Sequence, residues 1–241
     1  MMKIIEKIQA KQNDINGAKP ITIAFIGDSV TQGCFDVYFN RDGKGEAFCD
    51  YKLAYSTRVR ELLNMLYPKV QINIINSGIS GDTSAGCLKR LQRDVLDYNP
   101  DLVVVSVGLN EVWVQNQRVE RYAQNLKEIF TAVVNSKAEC IYMTQNSFNT
   151  TISPFVLKGY EEAAQKLADF QKNGDLTALY EAGKKVAKEC GVIICDVYEK
   201  WLKMIEGGVN VTEILVNKLN HPIPELHYLF AYSLIEKMFG L

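Results

Sequence analysis

The chain has little histidine and no run of like charges. Among its 241 residues only His221 and His227 carry an imidazole, both near the C-terminus. Lys and Arg number 27 against 28 Asp and Glu, a formal net charge of -1. That balance excludes a polybasic nucleic-acid surface or an anionic-membrane anchor as the chain's main role. Long apolar runs are also missing. The most hydrophobic stretch, Leu102 to Leu109 (LVVVSVGL), is far short of the roughly 20 residues a membrane span needs, so no span is expected. Lys3, Glu6, Lys7 and Lys11 break up the N-terminal stretch, so no signal peptide is expected there. The six cysteines (Cys34, Cys49, Cys87, Cys140, Cys190, Cys195) form no CxxC pair and have no histidine at zinc-ligand spacing. Free, mostly buried thiols in a reducing cytoplasm are the expectation, with no metal and no cofactor.

What is present is enough apolar material for one core. Hydrophobic residues make up 47% and charged residues 23%, and the length suits a single domain over 1–241. Short apolar runs bounded by Gly, Asn and Asp occur at 21–26, 70–75, 102–107, 139–144 and 191–195, the pattern of strands buried on both faces of a parallel sheet. Helical periodicity lies between them, at 55–66, 88–96, 122–134 and 161–189, with a break near Asn173-Gly174 where Asp175 would cap a new helix. An amphipathic tail, 224–239, closes the chain. Strands alternating with helices predict an α/β fold, a doubly wound sheet with helices on both sides. In such a sheet ligands collect beyond the carboxyl ends of the strands. Three of the five predicted strands end there in small or polar clusters: GDS, NSGISGDT and GLNE.

Ser29 follows the first strand across Gly27-Asp28, where a hydroxyl can stand beside unpaired backbone N–H groups. A serine hydroxyl needs a base to become a nucleophile, and histidine suits that task near neutrality. The polar loop around His221 favours it over His227, which falls inside the helical tail. Gly81 offers a backbone N–H and Asn110 a side-chain N–H for a developing oxyanion. Each residue alone reads as a turn or a helix cap; delivery of all four to one rim is what points to acyl transfer.

The blocks IAFIGDSVTQG (23–33), NSGISGDTSAG (76–86), VVVSVGLNEVW (105–113) and NHP (220–222) resemble, in order and spacing, the SGNH hydrolases, the GDSL-type lipase/acylhydrolase family. The resemblance implies a flavodoxin-like three-layer α/β/α sandwich with a five-stranded, mainly parallel sheet that hydrolyses esters, thioesters or acetyl groups without a cofactor. It assigns Ser29 as nucleophile, His221 as base, and Gly81, Asn110 and the Ser29 N–H as the oxyanion hole. Two positions depart from the family pattern. Glu111 stands where Asp is frequent, and Lys218 stands three residues before the histidine, where an acid usually holds the imidazole. The expectation is therefore a Ser–His dyad oriented by a carbonyl or amide oxygen. Asn217 and Asn220 are the nearby candidates, and Asp196 is a more distant carboxylate.

Residues 34–51 read as a long aromatic-rich loop, a wall or lid over the site or a surface folded onto itself. The expected substrate is a small-molecule or carbohydrate ester with a short acyl group. A lysophospholipase or thioesterase is the alternative within the same chemistry, and a non-catalytic flavodoxin-like binder is the alternative outside it. No Walker or GxGxxG motif supports the binder. Self-association stays open.

Overall fold

The computed structural model describes residues 1–241. The chain opens with α1 (Lys3–Asn13), which buries Ile4, Ile5 and Ile8; the Glu139 carboxylate accepts from the N–H groups of Lys3 and Ile4 at its unpaired N-terminal turn. Strand β1 (Ile21–Gly27) leads into a four-residue helix α2 (Ser29–Gln32), then an antiparallel hairpin of β2 (Cys34–Phe39) and β3 (Gly45–Cys49). After α3 (Tyr55–Leu66) come β4 (Ile72–Gly78), α4 (Ser84–Asp94), β5 (Leu102–Ser106), α5 (Arg118–Asn135) and β6 (Glu139–Thr144). The remainder is α6 (Glu161–Lys172), α7 (Asp175–Glu189), β7 (Ile193–Asp196), α8 (Val197–Glu206) and α9 (His227–Phe239).

Five strands form one sheet in the order β4-β1-β5-β6-β7, every pair parallel. The order reverses at β1, so the crossover to β4 runs opposite to those that follow. Right-handed connections then place α3 on one face and α4, α5 and α7 on the other. The packing agrees: α4 lies against α5 and α5 against α7, while α3 packs on α9, which also touches α1. This is the expected doubly wound fold, with the switch point between β1 and β5. Ile23 to Ile26 of β1 and Leu102 to Val105 of β5 are fully buried, as central strands covered by helices on both sides must be. Each large aliphatic side chain there contributes roughly 1.5–3 kcal/mol of burial. No helix is long and apolar enough to cross a membrane.

Several expectations need correction. Residues 34–49 are not an irregular loop but a two-stranded sheet, and Cys34 is bonded to Cys49 directly across it. Four cysteines are free, not six, so thiol content no longer argues for a reducing compartment. Gly174, at φ +80, rather than Asp175, is the residue preceding α7, and no side chain caps that helix. Helices α1 and α8 were not anticipated.

Candidate active site

The carboxyl ends of β1, β4 and β5 form the floor of the site. At Gly27 an added Cβ would stand 2.1 Å from the Ser106 carbonyl oxygen, so only glycine lets β1 and β5 converge before the turn. Asp28 then caps α2, its carboxylate accepting the Val30 N–H at 3.0 Å. Ser29 is the first residue of that helix, 4% exposed, and its own N–H has no acceptor in the protein. His221 Nε2 lies 2.9 Å from Ser29 Oγ, although 192 positions separate them in sequence. Burial pushes the His221 pKa down to about 4, against opposing contributions from the Phe35 carbonyl and the Asp36 charge. The ring is thus neutral at ordinary pH and able to accept a proton. His227, the other imidazole, is fully buried and accepts the Tyr55 N–H at 3.0 Å.

Gly81 lies in the loop after β4 at φ +80, a left-handed conformation suited to glycine, and its N–H also has no acceptor in the protein. Asn110, just past β5, donates one amide hydrogen to the Asp82 carbonyl at 2.8 Å and keeps the second. The structure therefore leaves three N–H groups, on Ser29, Gly81 and Asn110, on loops at the end of the sheet that also holds the Ser29 hydroxyl.

Gln145 and Arg90, not singled out in sequence, hold these loops in register together with Asp28 and Glu111 of the sequence blocks. Gln145, after β6, donates to Asp28 Oδ1 at 2.8 Å while its own oxygen accepts the Leu109 N–H at 3.2 Å. One side chain thereby joins the turn bearing Ser29 to the turn bearing Asn110. Arg90 of α4, 7% exposed, reaches Gly27 O at 2.9 Å, Ser77 O at 2.7 Å and Asp82 Oδ2 at 2.7 Å, joining the β1 and β4 turns. Glu111 accepts the Ser84 N–H at 2.7 Å and so fastens α4 to the Asn110 turn; burial raises its pKa, with the Ser84 N–H opposing. Asp28 itself is fully buried with its second oxygen unpartnered, and desolvation pushes its pKa up to about 7. Gln145 follows a strand end and Arg90 lies inside α4, positions at which many other polar residues stand.

His221 arrives on a different kind of support. Asn217 Oδ1 accepts the N–H groups of Leu219, Asn220 and His221, each at 3.0 Å, and the Asn217 amide donates to Asn220 Oδ1 at 2.9 Å. Both asparagines thus shape the loop and neither bonds the ring, contrary to the sequence expectation. Asp196 is also placed elsewhere. It caps α8 through the Glu199 N–H, accepts from Thr144 at 2.8 Å and pairs with Lys184 at 2.6 Å. Its burial raises the pKa, but the bonds from Lys184 and Thr144 outweigh that and hold it below the usual range. Lys218 is tied to Glu213 at 3.1 Å. No carboxylate meets His221 Nδ1, which has no hydrogen-bond partner.

Large exposed side chains occupy loops and strands adjoining the site: Tyr38, Phe39 and Phe48 on the hairpin, Ile79 before Gly81, and Trp113 after Asn110. A cavity of about 130 Å³ lies between the hairpin, the 155–160 segment and the histidine loop. No three His, Cys, Asp or Glu side chains converge where a metal ion could sit.

An acetylxylan esterase of Geobacillus stearothermophilus is 37% identical to this chain over 93 residues, which span 39% of the chain and 41% of that protein. Among solved structures, Axe2, an acetylxylan esterase of the same organism, superposes with a TM-score of 0.62 at 21% identity, covering 92% of this chain and 94% of its own. Catalytic variants of that enzyme replace a serine, an aspartate or a histidine by alanine. LAE5, an alpha/beta hydrolase enzyme from the metagenome of Lake Arreo, Spain, superposes with a TM-score of 0.64 at 20% identity, covering 91% and 95%. At such identities the likeness is one of fold. The model of the GDSL-like lipase/acylhydrolase family matches residues 25–227, and the chain belongs to that family.

Proposed function

We propose that this protein is a serine-dependent carboxylic-ester hydrolase acting on short acyl esters, acetyl groups on a carbohydrate or similar small molecule above all. The observation that carries the reading is the 2.9 Å contact between Ser29 Oγ and His221 Nε2 on the rim where three N–H groups are available. His221, kept neutral by burial, takes the Ser29 proton on Nε2 as Oγ bonds to the ester carbon. The negative charge moves to the carbonyl oxygen, where the N–H groups of Ser29, Gly81 and Asn110 stabilise it. As the tetrahedral species collapses, His221 passes the proton to the departing alcohol oxygen, leaving an acyl group on Ser29. Water, deprotonated by the same imidazole, then releases the acid and restores the hydroxyl.

The acetyl preference is supported by the acetylxylan esterase among its relatives, although the match covers 41% of that protein. A serine-directed phosphonate is expected to label Ser29, and Ser29→Ala to abolish turnover of p-nitrophenyl acetate. Labelling elsewhere with turnover intact removes the reading. A panel of acetyl, butyryl, octanoyl and thioester substrates with acetylated sugars tests the acyl preference, expected to fall steadily with chain length. Because His221 titrates near 4, kcat/KM is expected to hold on acidification well below the pH of 6.5 at which an ordinary histidine would charge.

A further inference from the structure

A backbone N–H serves a developing oxyanion best when its peptide plane is already turned toward the reacting carbonyl. Gly81, proposed above as one such donor, sits in the turn Ile79–Asp82 that follows β4. The Asp82 N–H closes that turn on the Ile79 carbonyl at 3.1 Å, and Gly81, at its third position, has φ +80. These are the marks of a type II turn. Types I and II differ by a half-rotation of the central peptide, here the one between Ser80 and Gly81. Such a rotation would carry the Gly81 N–H to the opposite side.

The four N–H groups of the turn are unequally engaged. Ile79 donates to the Gly27 carbonyl at 3.1 Å, Ser80 donates to Gln32 Oε1 at 2.7 Å, and Asp82 donates within the turn. Gly81 alone among the four has no acceptor in the protein. At an exposed turn the second N–H is ordinarily left to solvent, yet here a side chain 48 positions away holds it. Gln32 is the last residue of α2, the helix that begins at Ser29. One side chain therefore reaches from the nucleophile's helix to the turn of the neighbouring strand.

Gln32 is itself firmly placed. The ends of α2 and β4 touch, since a Cβ added at Gly78 would stand 2.1 Å from the Gln32 nitrogen. Asn76 of β4 donates to the Thr31 carbonyl at 2.9 Å, and the Gln32 N–H closes α2 on the Asp28 carbonyl at 2.9 Å. The nitrogen of the Gln32 side-chain amide donates to Tyr51 Oη at 3.3 Å, which leaves the oxygen facing Ser80.

We infer that Gln32 is a positioning residue for the oxyanion hole: by holding the Ser80 N–H it keeps the Ile79–Asp82 turn in its type II form, with the Gly81 N–H on the side of Ser29 Oγ. Gln32 touches neither substrate nor reacting atoms and acts through Gly81. The inference rests on the hydrolase reading above.

The test is steady-state hydrolysis of p-nitrophenyl acetate by the full-length protein, with inhibition by phenylboronic acid. The tetrahedral adduct of that acid on a serine places an oxygen where the oxyanion forms. Gln32→Met keeps the length of the side chain and removes the acceptor. It is expected to lower kcat about tenfold, less than the roughly 10²–10³ that follows loss of a whole donor. KM is expected to stay unchanged while the boronate binds about tenfold more weakly. Ser80→Pro supplies the discriminating background. Proline has no N–H for Gln32 and suits the second position of a type II turn, so its ring holds the turn instead. There Gln32→Met is expected to cost less than about twofold, a coupling that general damage to the fold would not produce.

Unchanged kcat in Gln32→Met, a rise in KM in its place, or a full tenfold cost kept in the Ser80→Pro background overturns the inference. If Ser80→Pro is itself inactive, the split between kcat and KM and the boronate affinity of Gln32→Met decide alone. Turnover surviving in Ser29→Ala overturns the hydrolase reading itself; loss of turnover there with unchanged kcat in Gln32→Met overturns only the role of Gln32.

Discussion

The two halves of the site are built differently. The floor, carrying Ser29, Gly81 and Asn110, grows from adjacent strands of the central sheet and is cross-tied by buried side chains: Gln145 between the β1 and β5 turns, Arg90 between the β1 and β4 turns. The wall, carrying His221, stands on a loop organised by Asn217 and faces a separate two-stranded sheet held by one disulfide. The loops of the floor are fixed by these ties, whereas His221 Nδ1 on the wall has no hydrogen-bond partner. In the proposed mechanism, rigidity is thus concentrated where negative charge would develop.

The largest break in that comparison comes at the point where the halves meet. His221→Ala is expected to lower kcat by about 10⁴ or more while the fold, read by circular dichroism, is kept. Asn110→Ala removes the side-chain N–H proposed as an oxyanion donor on the floor and should cost about 10²–10³ in kcat with little change in KM; steady-state kinetics on acetyl esters would show it. The wall's asparagine at 220, whose side chain only meets Asn217, should be milder when changed to alanine.

Asp28→Asn sharpens the account of the floor's electrostatics. With its pKa raised to about 7, native Asp28 keeps a proton that the unfolded chain gives up near 3.8. The native state therefore binds more protons between those values, and this residue's contribution to stability falls as pH rises through that window. Asparagine keeps the acceptor for Val30 and Gln145 and carries no charge. Its stability advantage is expected to grow from about pH 4 to about pH 7, reaching a few kcal/mol, and then level off; thermal melts across that range read the difference. Gln145→Ala unties the two turns and should lower kcat about tenfold through misplacement alone. Lys218→Ala, on the wall but away from the ring, should change kcat less than twofold, in agreement with its bond to Glu213.

The same division decided what was legible in the sequence. A parallel strand buried on both faces must be a short apolar run, and its carboxyl end must turn on small residues, so GDS, NSGISG and GLN announced the floor directly. The hairpin gave no such pattern. Tyr38, Phe39 and Phe48 are about half exposed, so apolar residues do not alternate cleanly with polar ones along β2 and β3. Without a strand register, Cys34 and Cys49 were only two cysteines 15 positions apart. The sequence offers Asp196 as a distant carboxylate for the histidine, but an aspartate between a strand and a helix more often serves as a cap, and that is its place before α8. Gln145 and Arg90 act through distances between strand ends that no linear spacing encodes.

The 192-residue gap between Ser29 and His221 also has a consequence in time. Contacts between distant parts of a chain form late, because the loop between their ends must first be closed. A refolding molecule that has assembled the β1, β4 and β5 rim still lacks His221, the proposed base, until the last polar loop docks onto it. Recovered turnover would then lag the return of helical signal, and it would serve as a clock for the final docking event of this polypeptide.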